Sequence, residues 1–165
     1  MIIDGKKIAQ EIHNEIKEAT EQLRGRKPCL AVIVVGDHPA SKIYVRRKAR
    51  GCEEVGIRSL QKDLPDSISE KELIQEIEQL NADPEVDGIL VQLPLPKHIN
   101  PSLVTSSIDP HKDVDGFHPV NVGKILIGER DGFFPCTAYG ISKLLERSGV
   151  DVCKKETTRS CCRKK

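Results

Sequence analysis

Apolar and polar positions along this chain fall into blocks whose period changes several times. From Lys6 to Arg24, Ile8, Ile12, Ile16, Ala19 and Leu23 recur at helical spacing and predict a one-sided amphipathic helix stopped by Gly25. The residues ahead of it, Met1–Asp4, read either as a short edge strand or as a simple lead-in. Leu30–Val35 is an unbroken apolar run rich in β-branched residues, as in a strand covered on both faces. Gly36-Asp37-His38-Pro39 ends it, with Asp37 or His38 near a helix cap and Pro39 suited to the first turn.

A second helix is predicted over Ser41–Gly56. Lys42, Arg46, Arg47, Arg50, Glu53 and Glu54 share one arc, while Ser41, Tyr44, Lys48, Cys52 and Val55 share the opposite one. Ile57–Leu64 follows as a weaker strand. Ser69 and Glu72 have capping-box spacing and open a helix whose stripe is Leu73, Ile74, Ile77 and Leu80, broken by Asp83-Pro84. Ile89–Leu93 predicts a third strand, and Asn100-Pro101 a short helix carrying Leu103 and Val104. Val120–Ile127 reads as a helix, and Phe133–Thr137 as extended. Thr137 is expected to cap a last helix through Ile141, Leu144 and Leu145, ended by Gly149. Strand, helix, strand, helix, strand with crossovers of this length implies βαβ units. The fold class is therefore α/β, a three-layer βαβ domain with a parallel sheet flanked by helices.

Three positions depart from this pattern. Lys48 lies on the packed side of its helix, either snorkelling to water or held in a cleft one turn beyond Tyr44. Gln92 interrupts a buried strand just before Pro94 and Pro96, and ligands of parallel sheets sit outside the carboxyl ends of strands. The alternative for Gln92 is a core amide bonded to backbone carbonyls. The polar loop from Ile108 to His118 holds Asp113 and Asp115. Two carboxylates alone are weak evidence for a metal, and one carboxylate reading the donors of a heterocycle fits equally well.

Composition narrows the partners. Net charge is +1 with mixed signs along most of the chain, which gives nucleic acid no footprint. No apolar run nears 18 residues and no apolar stretch opens the chain, so a soluble, cytoplasmic protein without membrane segment or secretory signal is expected. Aromatic residues make up only 3%, so the core must be aliphatic. The six cysteines show no C-x-x-C spacing; reduced thiols are expected and zinc is not.

Four stretches arrive together in one order: V-V-G-D-H-P-A-S-K-I-Y-V-R-R-K from Val34, D-G-I-L-V-Q-L-P-L-P from Asp87, K-D-V-D-G-F-H-P-V-N-V-G-K from Lys112 and P-C-T-A-Y-G from Pro135. On these the chain resembles the methylenetetrahydrofolate dehydrogenase/methenyltetrahydrofolate cyclohydrolase family of one-carbon metabolism, from Met1 to about Val152. The family usually has proline where this chain has Ala138. The resemblance implies a bifunctional enzyme with two reactions. One is NADP-linked (or NAD-linked) oxidation of 5,10-methylenetetrahydrofolate to 5,10-methenyltetrahydrofolate, and the other hydrolysis of that product to 10-formyltetrahydrofolate. It implies tetrahydrofolate derivatives as partners, and a homodimer for the full-length family. It also implies that Lys48 is the catalytic lysine, that Tyr44 stacks on the pterin and p-aminobenzoate portion, that Gln92 supports the lysine, and that Asp115 anchors the pterin, with Leu93 beside them. A lysine facing a cationic methenyl group is not expected to stay fully protonated. Burial and a neighbouring amide would favour its neutral form, able to act as general base toward water.

Residues 1–149 correspond to the family's catalytic domain. The glycine-rich fingerprint of a dinucleotide-binding domain occurs nowhere in the sequence, so no cofactor-binding residue is assigned and dehydrogenase activity is expected to be lacking. Residues 150–165 read as a basic, cysteine-containing tail: six basic residues and one acid lie within 154–165, as in a disordered or out-of-frame end. The alternative function is an inactive folate-binding or subunit-interaction fragment. A short-chain dehydrogenase, which also pairs tyrosine and lysine four apart, fails because a complete nucleotide fold cannot precede Tyr44.

Overall fold

Cys29–Val35 forms β1, the central strand of a three-stranded parallel sheet, with β2 (Arg58–Leu64) on one side and β3 (Gly88–Val91) on the other. A computed structural model describes residues 2–150 of the chain. The tail from 151 onward, with Cys153, Cys161 and Cys162, lies outside the described residues. Six helices flank the sheet among the described residues: α1 (Gly5–Gln22), α2 (Pro39–Glu54), α3 (Glu70–Ala82), α4 (Pro101–Ser107), α5 (Pro119–Ile127) and α6 (Cys136–Arg147).

The unbroken apolar run of β1 has a direct cause. Side chains alternate across a strand, and each face of β1 meets a different layer. Ala31, Ile33 and Val35 pack with Leu73, Ile77 and Leu80 of α3, Val104 of α4, and Ile89 and Val91. Val32 and Val34 pack with Val45 of α2 and Leu90 on the other face. The edge strand β2 is largely exposed, as its weaker pattern foretold, and Lys62 ties it to Glu76 of α3 at 2.6 Å. α3 has the expected capping box, and its stripe of Leu73, Ile77 and Leu80 is buried.

Of the two readings left open for the start of the chain, residues 2–4 take the lead-in. Four local expectations change. Of the α1 stripe only Ile8 is buried, because α1 packs along its edge against α2 and α6 and Ile16 and Leu23 face outward. On α2 Ser41, Val45 and Cys52 are buried, as is Val55 at its C-cap; the helix is rotated so that Tyr44 is 58% exposed. β3 ends at Val91, although the Gln92 N–H still donates to the Ile33 carbonyl at 2.9 Å. Pro135, not Thr137, is the N-cap of α6, and Thr137 lies inside its first turn.

α6 ends in a Schellman arrangement, with Gly149 at φ +70° and the Val150 N–H donating to the Leu145 carbonyl at 3.0 Å. Its guanidinium at Arg147 holds Glu15 of α1 through two bonds of 2.7 and 2.6 Å. No residue of α6 is buried.

Candidate active site

Two elements leave the carboxyl end of the sheet facing one another. α2 begins just after β1, with Pro39 in its first turn and its axis returning along the sheet face lined by Val32 and Val34. β3 ends against proline residues that cannot continue the ladder, and the Leu93–Pro94 peptide is cis. Between them the Lys48 Nζ donates to the Gln92 Oε1 at 3.1 Å. The other end of the Gln92 amide donates to the Leu93 carbonyl at 2.8 Å, so both polar atoms of the side chain are used. Lys48 is half-buried, which excludes the purely snorkelling reading: its ammonium is held by a partner 44 residues away.

The loop after α4 brings Asp115 to the same place. Burial pushes the Asp115 carboxyl above the usual carboxylate range, while the Lys48 charge pulls it down and the Asp113 carboxyl pushes it up. Gln92 is thus the direct hydrogen-bond partner of Lys48, and a carboxyl group also stands within electrostatic reach. Leu93 and Asp115 line one small depression together with Phe117, and Leu93 and Phe117 continue into a shallow, mostly apolar groove beside α4. Lys48, Gln92, Leu93 and Asp115 are therefore gathered. Tyr44 stands one turn before Lys48 at the exposed rim.

Two features were not anticipated. The Cys136 thiol donates to the Val114 carbonyl at 3.3 Å; although the residue as a whole is exposed, partial desolvation of its thiol, followed by the neighbouring Asp115 charge, raises its pKa. Its position inside the P-C-T-A-Y-G stretch was the available signal. Asp113 belongs to a buried hydrogen-bond network. Among the described residues no three His, Cys, Asp or Glu side chains converge to hold a metal.

With this geometry in place, comparison with known proteins is decisive. The family model for the tetrahydrofolate dehydrogenase/cyclohydrolase catalytic domain matches residues 3–115. The chain belongs to this family. It is 64% identical over 155 residues to the bifunctional protein FolD of Protochlamydia amoebophila, covering 94% of this chain and 53% of that one. The crystal structure of FolD from Campylobacter jejuni superposes with a TM-score of 0.90 at 50% identity, over 92% of this chain and 54% of that one. The Trypanosoma brucei family member, described as complexed with NADP cofactor and an inhibitor, gives 0.87 at 38% identity, over 94% and 54%. This chain spans about half the length of the curated relatives it matches.

The β1–α2 turn does not have the form of a pyrophosphate cradle. In a dinucleotide fold the pyrophosphate rests on the glycine-rich turn between a strand and the helix after it. Here the β1–α2 turn contains one glycine, and a Cβ on Gly36 would meet the Asp66 carboxylate oxygen at 2.8 Å. An acidic side chain of the protein itself packs against this turn. No helix among the described residues is long and apolar enough to cross a membrane.

Proposed function

We propose that this chain supplies the folate-binding, acid–base half of a methylenetetrahydrofolate dehydrogenase/methenyltetrahydrofolate cyclohydrolase. One observation carries the reading: Lys48 and Gln92, far apart in sequence, are hydrogen-bonded at 3.1 Å beside Asp115 at the carboxyl end of a parallel sheet. The family to which the chain belongs supplies the substrate class.

In the cyclohydrolase step water adds to the cationic methenyl carbon of 5,10-methenyltetrahydrofolate. As the carbon–oxygen bond forms, Lys48 takes one water proton. The bond from that carbon to N5 then breaks, Lys48 returns the proton to N5, and the remaining hydroxyl proton leaves as the formyl carbonyl forms. The product is 10-formyltetrahydrofolate. Gln92 fixes the lysine through its carbonyl oxygen, and the bond from its NH2 to Leu93 prevents the amide from turning over. Asp115 faces the donor edge of the pterin, Tyr44 stacks against the pterin and p-aminobenzoate portion, and Leu93 lines the same wall. General acid–base catalysis of this kind contributes roughly 10²- to 10⁴-fold.

The oxidation of 5,10-methylenetetrahydrofolate needs a hydride acceptor, and the sequence contains no glycine-rich G-x-G-x-x-G turn to hold a dinucleotide. Under this proposal the chain on its own is expected to show no dehydrogenase activity. Its cyclohydrolase activity is weakened by an open, wet site, because positioning and exclusion of water both raise the rate.

The test is the loss of methenyltetrahydrofolate absorbance with the parent chain and with Lys48→Ala. A rate above buffer that Lys48→Ala abolishes supports the proposal. No rate together with no detectable folate binding rejects it.

A further inference from the structure

Asp115 carries no regular secondary structure of its own, so something must hold it. The loop from Pro110 to His118 is built around two side chains that are almost wholly removed from water: Asp113 is 1% exposed and Asn121, in the first turn of α5, is 2% exposed. Buried polar groups are costly unless each finds a partner. Here the partners are all parts of this one loop. The Asn121 Nδ2 donates to the Pro110 carbonyl at 2.9 Å and to the Asp113 Oδ2 at 2.9 Å, which uses both of its hydrogens. The same Asp113 oxygen accepts the His118 N–H at 2.8 Å. Entry, middle and exit of the loop are thus tied to one amide and one carboxyl, and Asp115 lies inside the ring they close.

The ring is anchored outward as well. The Ile89 N–H of β3 donates to the Lys112 carbonyl at 2.7 Å, and Ile89 and Asp113 form a parallel bridge. The base of the loop is therefore bonded to the strand that ends in Gln92. The Lys112 ammonium donates to the carbonyls of Leu80, Asn81 and Asp83, binding that base to the end of α3. At the tip, Gly116 has φ +68°, and a Cβ there would lie 2.6 Å from the backbone of Phe134.

We infer that Asn121 is a positioning residue: with Asp113 it closes the base of the loop and so sets the Asp115 carboxyl against Lys48 and Gln92. Asn121 acts through Asp115 and does not itself touch the folate. The inference rests on the folate reading for its functional consequence, but its structural core stands without it.

Two measurements on the full 165-residue chain test it. The first is binding of 5,10-methenyltetrahydrofolate to the parent, Asn121→Ala, Asp115→Ala and the double variant. Asn121→Ala is expected to weaken binding about tenfold or more, and the double variant to bind no worse than Asp115→Ala, because residues acting through one another are not additive. Parent-like binding by Asn121→Ala, or losses that multiply in the double variant, overturns the inference. Asp113→Ala removes the carboxyl that Asn121 and His118 share and is expected to weaken binding as Asn121→Ala does; parent-like binding by Asp113→Ala also overturns the inference.

The second measurement needs no ligand: the Asp115 side-chain carboxyl is titrated by carbon NMR. Lys48 on α2, Asp113 in the loop and Cys136 on α6 face this group. In Asn121→Ala the loosened loop admits water, and the Asp115 pKa moves down toward its ordinary value. An unchanged titration overturns the inference even if the parent binds no folate, the result that would count against the folate reading. Asn121→Thr keeps one donor of similar size, so it gives the same two readouts at reduced amplitude if Asn121→Ala does not fold.

Discussion

The Lys48 ammonium reaches across from α2 to the Gln92 carboxamide at 3.1 Å, and Gln92 is locked in turn to its neighbour's carbonyl. An amide partner differs from a carboxylate in one respect that matters here: it accepts a hydrogen bond without adding a negative charge. Gln92→Glu adds that charge and is expected to pin the ammonium in an ion pair, lowering the proposed cyclohydrolase rate on the order of 10²-fold. Gln92→Ala leaves the Lys48 ammonium without its partner and should lower the rate as well. Initial rates of both variants beside the parent check this, and a parent-like rate in both would show that Gln92 does not position the lysine.

Asp115 makes stability depend on pH in an unusual direction. Burial raises its folded-state pKa above the ordinary value near 3.8. Between the two values the native state binds more protons than the unfolded chain, so this group's contribution to stability falls as pH rises through that window. Above the folded value the penalty is complete and constant. Asp115→Asn is therefore expected to be more stable than the parent at pH 7, with the difference vanishing below the unfolded value. Urea denaturation across that range measures it.

The core under β1 should behave conventionally. Ile77 is 0% exposed and packs against Ala31 and Ile33 in the larger cluster. Ile77→Ala is expected to cost about 2–5 kcal/mol, the transfer and cavity terms of a buried aliphatic. Leu126 of α5, 81% exposed, serves as the contrast, and Leu126→Ala should change stability by less than about 0.5 kcal/mol. Chemical denaturation midpoints at constant slope decide between them.

These features were not equally legible in the amino-acid sequence. β1, α3 and its capping box were readable because their causes are local: a run of β-branched residues, a serine three before a glutamate, a four-residue stripe. Gln92 was readable because an amide in a buried strand contradicts its surroundings. Periodicity failed where docking decided the outcome. It placed Tyr44 on the packed side of α2, yet Val45 is the buried residue, because the period sets which residues share a face and not the angle at which that face is laid down. It predicted a buried stripe on α1 for which the described residues supply cover only around Ile8. Asn121 was invisible for a different reason: one asparagine in an apolar helix acquires meaning only when Pro110 and Asp113 come to meet it.

The α3 cap offers a prediction in which helix chemistry and titration can be separated. The Ser69 hydroxyl oxygen accepts the Glu72 N–H at 3.2 Å, and the Glu72 carboxylate accepts the Ser69 hydroxyl at 2.7 Å and the Ser69 N–H at 2.9 Å. Ser69→Ala removes the acceptor for an otherwise unpaired helix-terminal N–H and is expected to cost about 1 kcal/mol at neutral pH. The Ser69 hydroxyl, and then its N–H, also hold the Glu72 carboxyl below its ordinary range. A depressed folded-state pKa contributes stability that is present above the unfolded value and lost as pH falls through the folded one. In acid the protonated Glu72 no longer gains from the serine, so the cost of Ser69→Ala should shrink on descending through that window. The part that persists below it belongs to the Ser69 oxygen capping the Glu72 N–H. Unfolding free energies of parent and variant in urea at pH 7 and below the Glu72 titration separate the two contributions, and a cost that stays constant with pH would show that the carboxylate takes no part.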